Sequence, residues 1–125
     1  MMKPQEHRVV VLGASPKPVR YSNMALRLLR DKGYPVIPVH PKVRRIERVP
    51  VVNDLGDIAP PVHTLTLYVG PERVRPMIDA IVALRPGRVI FNPGTESHEL
   101  ERRLKDHRIE CIHGCTLVML RTGQF

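Results

Sequence analysis

Residues 7–17 read His7-Arg8-Val9-Val10-Val11-Leu12-Gly13-Ala14-Ser15-Pro16-Lys17, and this stretch decides the fold. The apolar run Val9–Leu12 shows no alternation between a wet and a dry side. The predicted strand is therefore covered on both faces, as in a parallel sheet. Gly13 ends the run and allows a turn that a residue with a Cβ resists. Tyr21–Lys32 follows, with Met24, Leu28 and Leu29 at helical spacing, Ser22 as the expected N-cap and Gly33 as the stop. Pro35–Val39 is a second short apolar run. Strand, helix and strand within about 30 residues make a βαβ unit with a right-handed crossover.

Downstream the alternation continues. Pro50-Val51-Val52 reads as a short edge strand, where a proline is tolerated, and Asp54–Ile58 as one helical turn. Thr64–Val69 is a strand. Gly70-Pro71-Glu72 opens a helical stretch with Val74, Ile78, Ile81 and Val82 inward. Pro76 divides it, so one turn is expected at 72–75 and a regular helix from Pro76 until Pro86-Gly87. Arg88–Phe91 is a strand, Thr95 the expected cap of a helix over Glu96–Asp106, and Arg108–Ile112 the last strand before a short segment, Thr116–Arg121. The whole describes an α/β fold: one doubly wound, mainly parallel sheet of Rossmann type, as a single domain over residues 1–125.

Size and composition agree with one domain: 125 residues, 42% of them hydrophobic. No apolar stretch approaches the ~20 residues that span a bilayer, so no membrane partner is expected. The first residues lack the apolar core of a secretion signal, and two cysteines cannot build a disulfide framework. Both point to the cytoplasm. A net charge of +8 attracts polyanions. Nucleic acid is the obvious one, but two Phe, three Tyr and no Trp leave little to stack bases on. The basic residues are also scattered, apart from Lys42, Arg44, Arg45 and Arg48.

Open α/β sheets bind ligands beyond the carboxyl ends of their strands, where the strand order switches. Here that point falls between the loops Gly13–Tyr21 and Val69–Arg73. The first offers Gly13 for close approach, the Ser15 hydroxyl, the mobile cation Lys17 and a helix N-terminus, which together suit a phosphate. The dinucleotide pattern Gly-x-Gly-x-x-Gly is absent. The second strand ends not in the acid that binds NAD ribose but in His40-Pro41-Lys42-Val43-Arg44-Arg45. A phosphorylated ribose fits that chemistry, which leaves NADP and coenzyme A.

The segments Val9–Pro18, Tyr21-Ser22-Asn23 and Gly33–Pro41 resemble the small stand-alone CoA-binding domain proteins, whose fold is like the nucleotide-binding domain of the succinyl-CoA synthetase α subunit. The resemblance extends through Tyr68-Val69-Gly70-Pro71, Asn92–Glu96 and Cys115–Leu120, nearly the whole chain. It implies that Gly13, Ala14, Ser15 and Lys17 hold the CoA phosphates. It also implies that His40, Pro41 and Lys42, with Val69, Gly70, Pro71 and Arg73, flank the adenosine. The candidate set further includes Arg20, Asn23, Val39, Arg44, Tyr68, Asn92, Pro93 and Gly94. The chain departs from the usual pattern at His40, where many relatives have Asn, and at Asn92-Pro93-Gly94, where Gln-x-Gly is frequent.

The expected function is binding of CoA or an acyl-CoA without catalysis, with an NADP-binding protein and a basic nucleic-acid-binding regulator as alternatives. No Ser-His-Asp set or paired carboxylates suggest a reaction. Cys111, His113 and Cys115 alternate but lack a fourth ligand for zinc, so no metal is expected. Cys115 follows a strand end and is either a small buried residue or a thiol at the pocket mouth, open to a mixed disulfide with CoA.

Overall fold

The computed structural model describes residues 3–125. Its main sheet consists of β1 (Val9–Leu12), β2 (Val36–Val39), β5 (Thr64–Leu67), β6 (Arg88–Phe91) and β7 (Glu110–His113); β3 (Arg45–Ile46) and β4 (Val49–Pro50) form a separate hairpin. The helices are α1 (Tyr21–Asp31), α2 (Pro71–Val74), α3 (Ile78–Leu84), α4 (His98–Asp106) and α5 (Thr116–Arg121). Strand order is β2-β1-β5-β6-β7, and every neighbouring pair is parallel. The chain winds outward from β1 to β2, then restarts at β5 and winds the other way, so the switch lies between β1 and β5.

All four residues of β1 are buried. Val10 and Leu12 join Leu65, Leu67, Ile81 and Leu100 on one face, whereas Val9 and Val11 meet Leu26, Leu29 and Leu120 on the other. Helices therefore cover both sides, α3 and α4 on one and α1 and α5 on the other. That is why the strand reads as an unbroken apolar run.

Local boundaries differ from the sequence expectations for identifiable reasons. A turn closed by the Arg20 amide on the Lys17 carbonyl (3.1 Å) starts α1 at Tyr21, so Ser22 lies inside the helix and caps nothing. Thr95 donates its hydroxyl to the Asn92 carbonyl at 2.7 Å, and Ser97 caps α4 instead, accepting from the Leu100 amide at 3.1 Å. Pro76 lacks an amide and crowds the carbonyl one turn back. The chain accordingly tightens into a 3-10 turn over Arg75–Met77, and regular helix starts at Ile78. The expected edge strand Pro50–Val52 is split: Val49 and Pro50 pair back on Arg45 and Ile46, and Val52 alone bridges Val39.

At the amino ends of the strands, the Thr64 hydroxyl lies 2.8 Å from each of His7 Nε2, His63 Nδ1 and Arg88 Nε. A hydroxyl has one proton and two lone pairs. Arg88 donates to one lone pair, so one imidazole donates and the other accepts, and two imidazolium rings do not fit. Burial above all, then the charges of His63 and Arg88, pushes His7 down to about 4 from the ordinary 6.5. Between those values the unfolded chain takes up a proton that the folded chain refuses, so stability falls as pH drops from 6.5 towards 4. The expected loss is about 2 kcal/mol. Urea denaturation at several pH values checks it, and a His7→Phe variant should lose less. An equal loss in both proteins would assign the effect to other groups.

Candidate functional site

The carboxyl ends of β1, β2 and β5 are closed by a loop the protein holds tightly. Gly13 has φ +91°, and a Cβ there would stand 2.7 Å from Val69 Cγ2 and 3.0 Å from the Tyr68 backbone carbon and oxygen. The Gly13 and Ala14 amides donate to the Val39 carbonyl at 3.3 and 3.1 Å. They tie the loop to β2 and are thereby engaged. Ser15 Oγ accepts from the Lys17 amide at 3.1 Å. Asn23 is completely buried: its Nδ2 donates to the Ser15 carbonyl at 2.9 Å and to Glu47 Oε2 at 3.2 Å, and its Oδ1 accepts from Arg27 Nε at 2.9 Å. The first turn of α1 leaves the Tyr21, Ser22 and Asn23 amides without helical acceptors, and these are the donors the loop region offers an anion.

Three pockets run in series along this edge. The first, about 270 Å³, has the apolar walls Leu12, Val39, Leu55, Val69, Met77 and Ala80. The second, about 490 Å³, is polar and lined by Ala14, Ser15, Arg20, Ser22, His40 and Tyr68, among others. Gly13, Pro41 and Arg73 belong to both. The third, about 400 Å³, is apolar, with Pro93, Cys115, Leu117 and Val118 in its wall; it shares Tyr21, Tyr68 and Pro93 with the second. Among the described residues, neither Arg20 nor Arg73 has a carboxylate within 4.0 Å. The middle of the groove is thus flanked by two uncompensated guanidinium groups.

His40 does here what an Asn side chain does in a turn. Its Nδ1 accepts from the Lys42 and Val43 amides at 3.0 and 3.2 Å, which leaves the proton of a neutral ring on Nε2. Lys42 and Arg44 stand exposed on the turn beyond Pro41, outside the three pockets. Lys17 is exposed on the loop and also outside them, as are Pro71 and Gly94, and the half-buried Gly70 lies outside them too. Asn92 lines the third pocket, but its side chain is engaged by the protein. Its Nδ2 donates to Thr66 Oγ1 (2.7 Å) and the Leu67 carbonyl (2.8 Å), and its Oδ1 accepts from the Thr116 amide (2.9 Å). The side chains of Asn23 and Asn92 therefore hold the walls in place, and what Asn23 offers a ligand is its backbone amide. Beside this network, burial pushes the Tyr68 phenol up to about 12, offset in part by the Thr116 and Thr66 hydroxyls.

The sequence reading missed Leu55, Met77 and Ala80 in the first pocket and Tyr21, Leu117 and Val118 in the third. Nothing local marks the first three as a site, because only the crossover from β4 to β5 and the start of α3 bring them to Val39. Cys111, His113 and Cys115 do not converge. Cys111 packs against the core, His113 stacks on Phe91 and bonds Glu101, and Cys115 faces the third pocket. Among the described residues no three His, Cys, Asp or Glu side chains are grouped to hold a metal ion, and no helix is long and apolar enough to cross a membrane.

Known proteins share this fold. A solved structure of an uncharacterized protein superposes with a TM-score of 0.89 at 40% identity, covering 95% of this chain and 98% of that one. A Thermus thermophilus protein, cell-free ID.343, superposes with a TM-score of 0.86 at 30% identity, covering 95% and 90%. The uncharacterized protein YneT of Bacillus subtilis is 33% identical over 61 residues, which are 49% of this chain and 45% of that protein. The family model described as the CoA binding domain matches residues 7–121, from the histidine ahead of β1 to the end of α5. A parallel sheet that switches direction at a glycine turn, with the match running through every strand of it, places the chain in the CoA-binding-domain family.

Proposed function

We propose that the protein binds coenzyme A in this groove as a binding or regulatory module without chemistry of its own. The observation that carries the reading is the series of pockets at the switch point: an apolar slot, then a polar trough flanked by Arg20 and Arg73. Adenine suits the slot between Val39, Val69 and Ala80. The diphosphate suits the trough, facing the open end of α1. Lys42 and Arg44, exposed beyond Pro41, are available to the 3′-phosphate. The free thiols of Cys111 and Cys115 fit a reducing compartment, the cytoplasm.

Competition among CoA, dephospho-CoA, NADPH and duplex DNA for the purified chain tests this. CoA should bind more tightly than dephospho-CoA by roughly tenfold to a hundredfold, one charge-assisted contact, and the margin should shrink as salt rises. NADPH, with its extra phosphate on the neighbouring hydroxyl, should bind more weakly. A win for NADPH or DNA overturns the proposal.

Arg73 borders both slot and trough, so Arg73→Ala should weaken CoA by about tenfold or more. Lys17→Ala, outside the pockets, should cost less. Calorimetric affinities that are unchanged in Arg73→Ala would move the phosphates elsewhere.

A further inference from the structure

We propose that the third pocket takes the acyl chain of an acyl-CoA, so that the preferred ligand is a thioester with an apolar acyl group rather than free CoA. The inference rests on the CoA reading above and names the class of ligand for the same groove. The pocket opens from the phosphate trough through Tyr21, Tyr68 and Pro93, on the side away from the adenine slot. A ligand anchored by its diphosphate therefore extends its far end into it.

The buried polar side chains in the wall are already satisfied, and the exposed Arg121 stands at its edge. Asn92 is fully engaged by Thr66, Leu67 and Thr116, and among the described residues no buried side-chain nitrogen or oxygen lacks a partner. The pantetheine arm passes the mouth at Tyr21, Tyr68 and Pro93, and the alkyl chain beyond the thiol needs no hydrogen-bond partner against Leu117 and Val118. The surface points the same way. The large apolar side chains exposed among the described residues are Val19, Tyr21 and Val118, at 78, 69 and 51%. Two of the three line this pocket, and Val19 lies two residues before Tyr21. An acyl chain seated there covers apolar surface that the folded chain leaves in water.

The test is calorimetry on the full chain with CoA, butyryl-CoA and octanoyl-CoA, each below its micellar concentration. Octanoyl-CoA should bind at least about tenfold more tightly than CoA, which is what two buried methylenes supply, with butyryl-CoA between them. Val118→Asp changes a half-exposed side chain on α5, and Val118→Asn is its uncharged counterpart. Both should remove the gain, so that octanoyl-CoA binds each variant no more tightly than CoA binds the same variant. Maleimide labelling reads the same pocket independently. Octanoyl-CoA should slow modification of Cys115 more than CoA does and leave Cys111 unchanged. If CoA binds and octanoyl-CoA binds no better, or the advantage survives in both variants, the acyl proposal is wrong and the CoA reading stands. If none of the three ligands binds, the CoA reading itself fails and the proposal with it.

Discussion

Gly13→Val should destabilise the protein by about 4 kcal/mol, combining positive-φ strain of ~1–2 with overpacking of ~1–3. The added Cβ would meet Val69 Cγ2 at 2.7 Å and the Tyr68 backbone at 3.0 Å, in a conformation with φ +91°. Tyr68 cannot retreat freely, since its amide is held by the Leu12 carbonyl at 2.8 Å. Gly13 also borders both the slot and the trough, so ligand binding should disappear even in the fraction that folds. Gly94 supplies the control. It has φ +89°, but a Cβ there meets nothing within 4 Å. Gly94→Ala should therefore show strain alone, ~1–2 kcal/mol. Urea denaturation of the two variants beside the parent separates crowding from backbone strain. A Gly13→Val protein as stable as Gly94→Ala would mean that the close approach at β5 constrains nothing.

Asn92→Leu should cost nearly as much. The substitution leaves the buried Thr116 amide without its acceptor and removes a donor from Thr66 Oγ1 and the Leu67 carbonyl. Unsatisfied buried groups cost ~1–3 kcal/mol each, so about 4 kcal/mol is expected. Thr116 is the first residue of α5, and Leu117 and Val118 follow it into the third pocket. Loss of the Asn92 clamp should thus raise hydrogen exchange at the start of α5 before the sheet responds. Unchanged exchange there, with an unchanged urea midpoint, would show that Thr116 is held by other means.

The central strands β1, β5 and β6 are legible because burial on two faces leaves a signature that needs no context, as in Val9–Leu12 and Arg88–Phe91. The β3–β4 hairpin is not. Its two-residue turn, Glu47-Arg48, has φ +51° and +68°, values that sequence reading assigns to Asn-Gly or Gly-Gly. Glu47 is held there by its neighbours: its carboxylate accepts from Asn23 and its carbonyl from Arg30 Nη1 at 2.6 Å. Tertiary contacts override the local preference, and no local rule reports them. The candidate site divides in the same way. Gly13, Ser15 and Arg73 line the groove, and the turn chemistry and charge that make them candidates are local properties. Asn23 and Asn92 enter the candidate set through the resemblance, and that their side chains are engaged by the protein depends on residues distant in sequence.

The anchoring of Asn23 bears on how fast the protein works. One buried amide group joins the loop after β1 to the helix it precedes and to a hairpin 24 residues away. The loop has its shape before anything arrives, so binding requires little ordering of the chain, and encounter is not gated by a rearrangement. Arrival rates of related ligands should then differ little from one another and be modulated mainly by salt. What distinguishes one ligand from another is residence time. On the proposed reading such a groove is a mould that would sample passing candidates at similar rates and keep those that fill it.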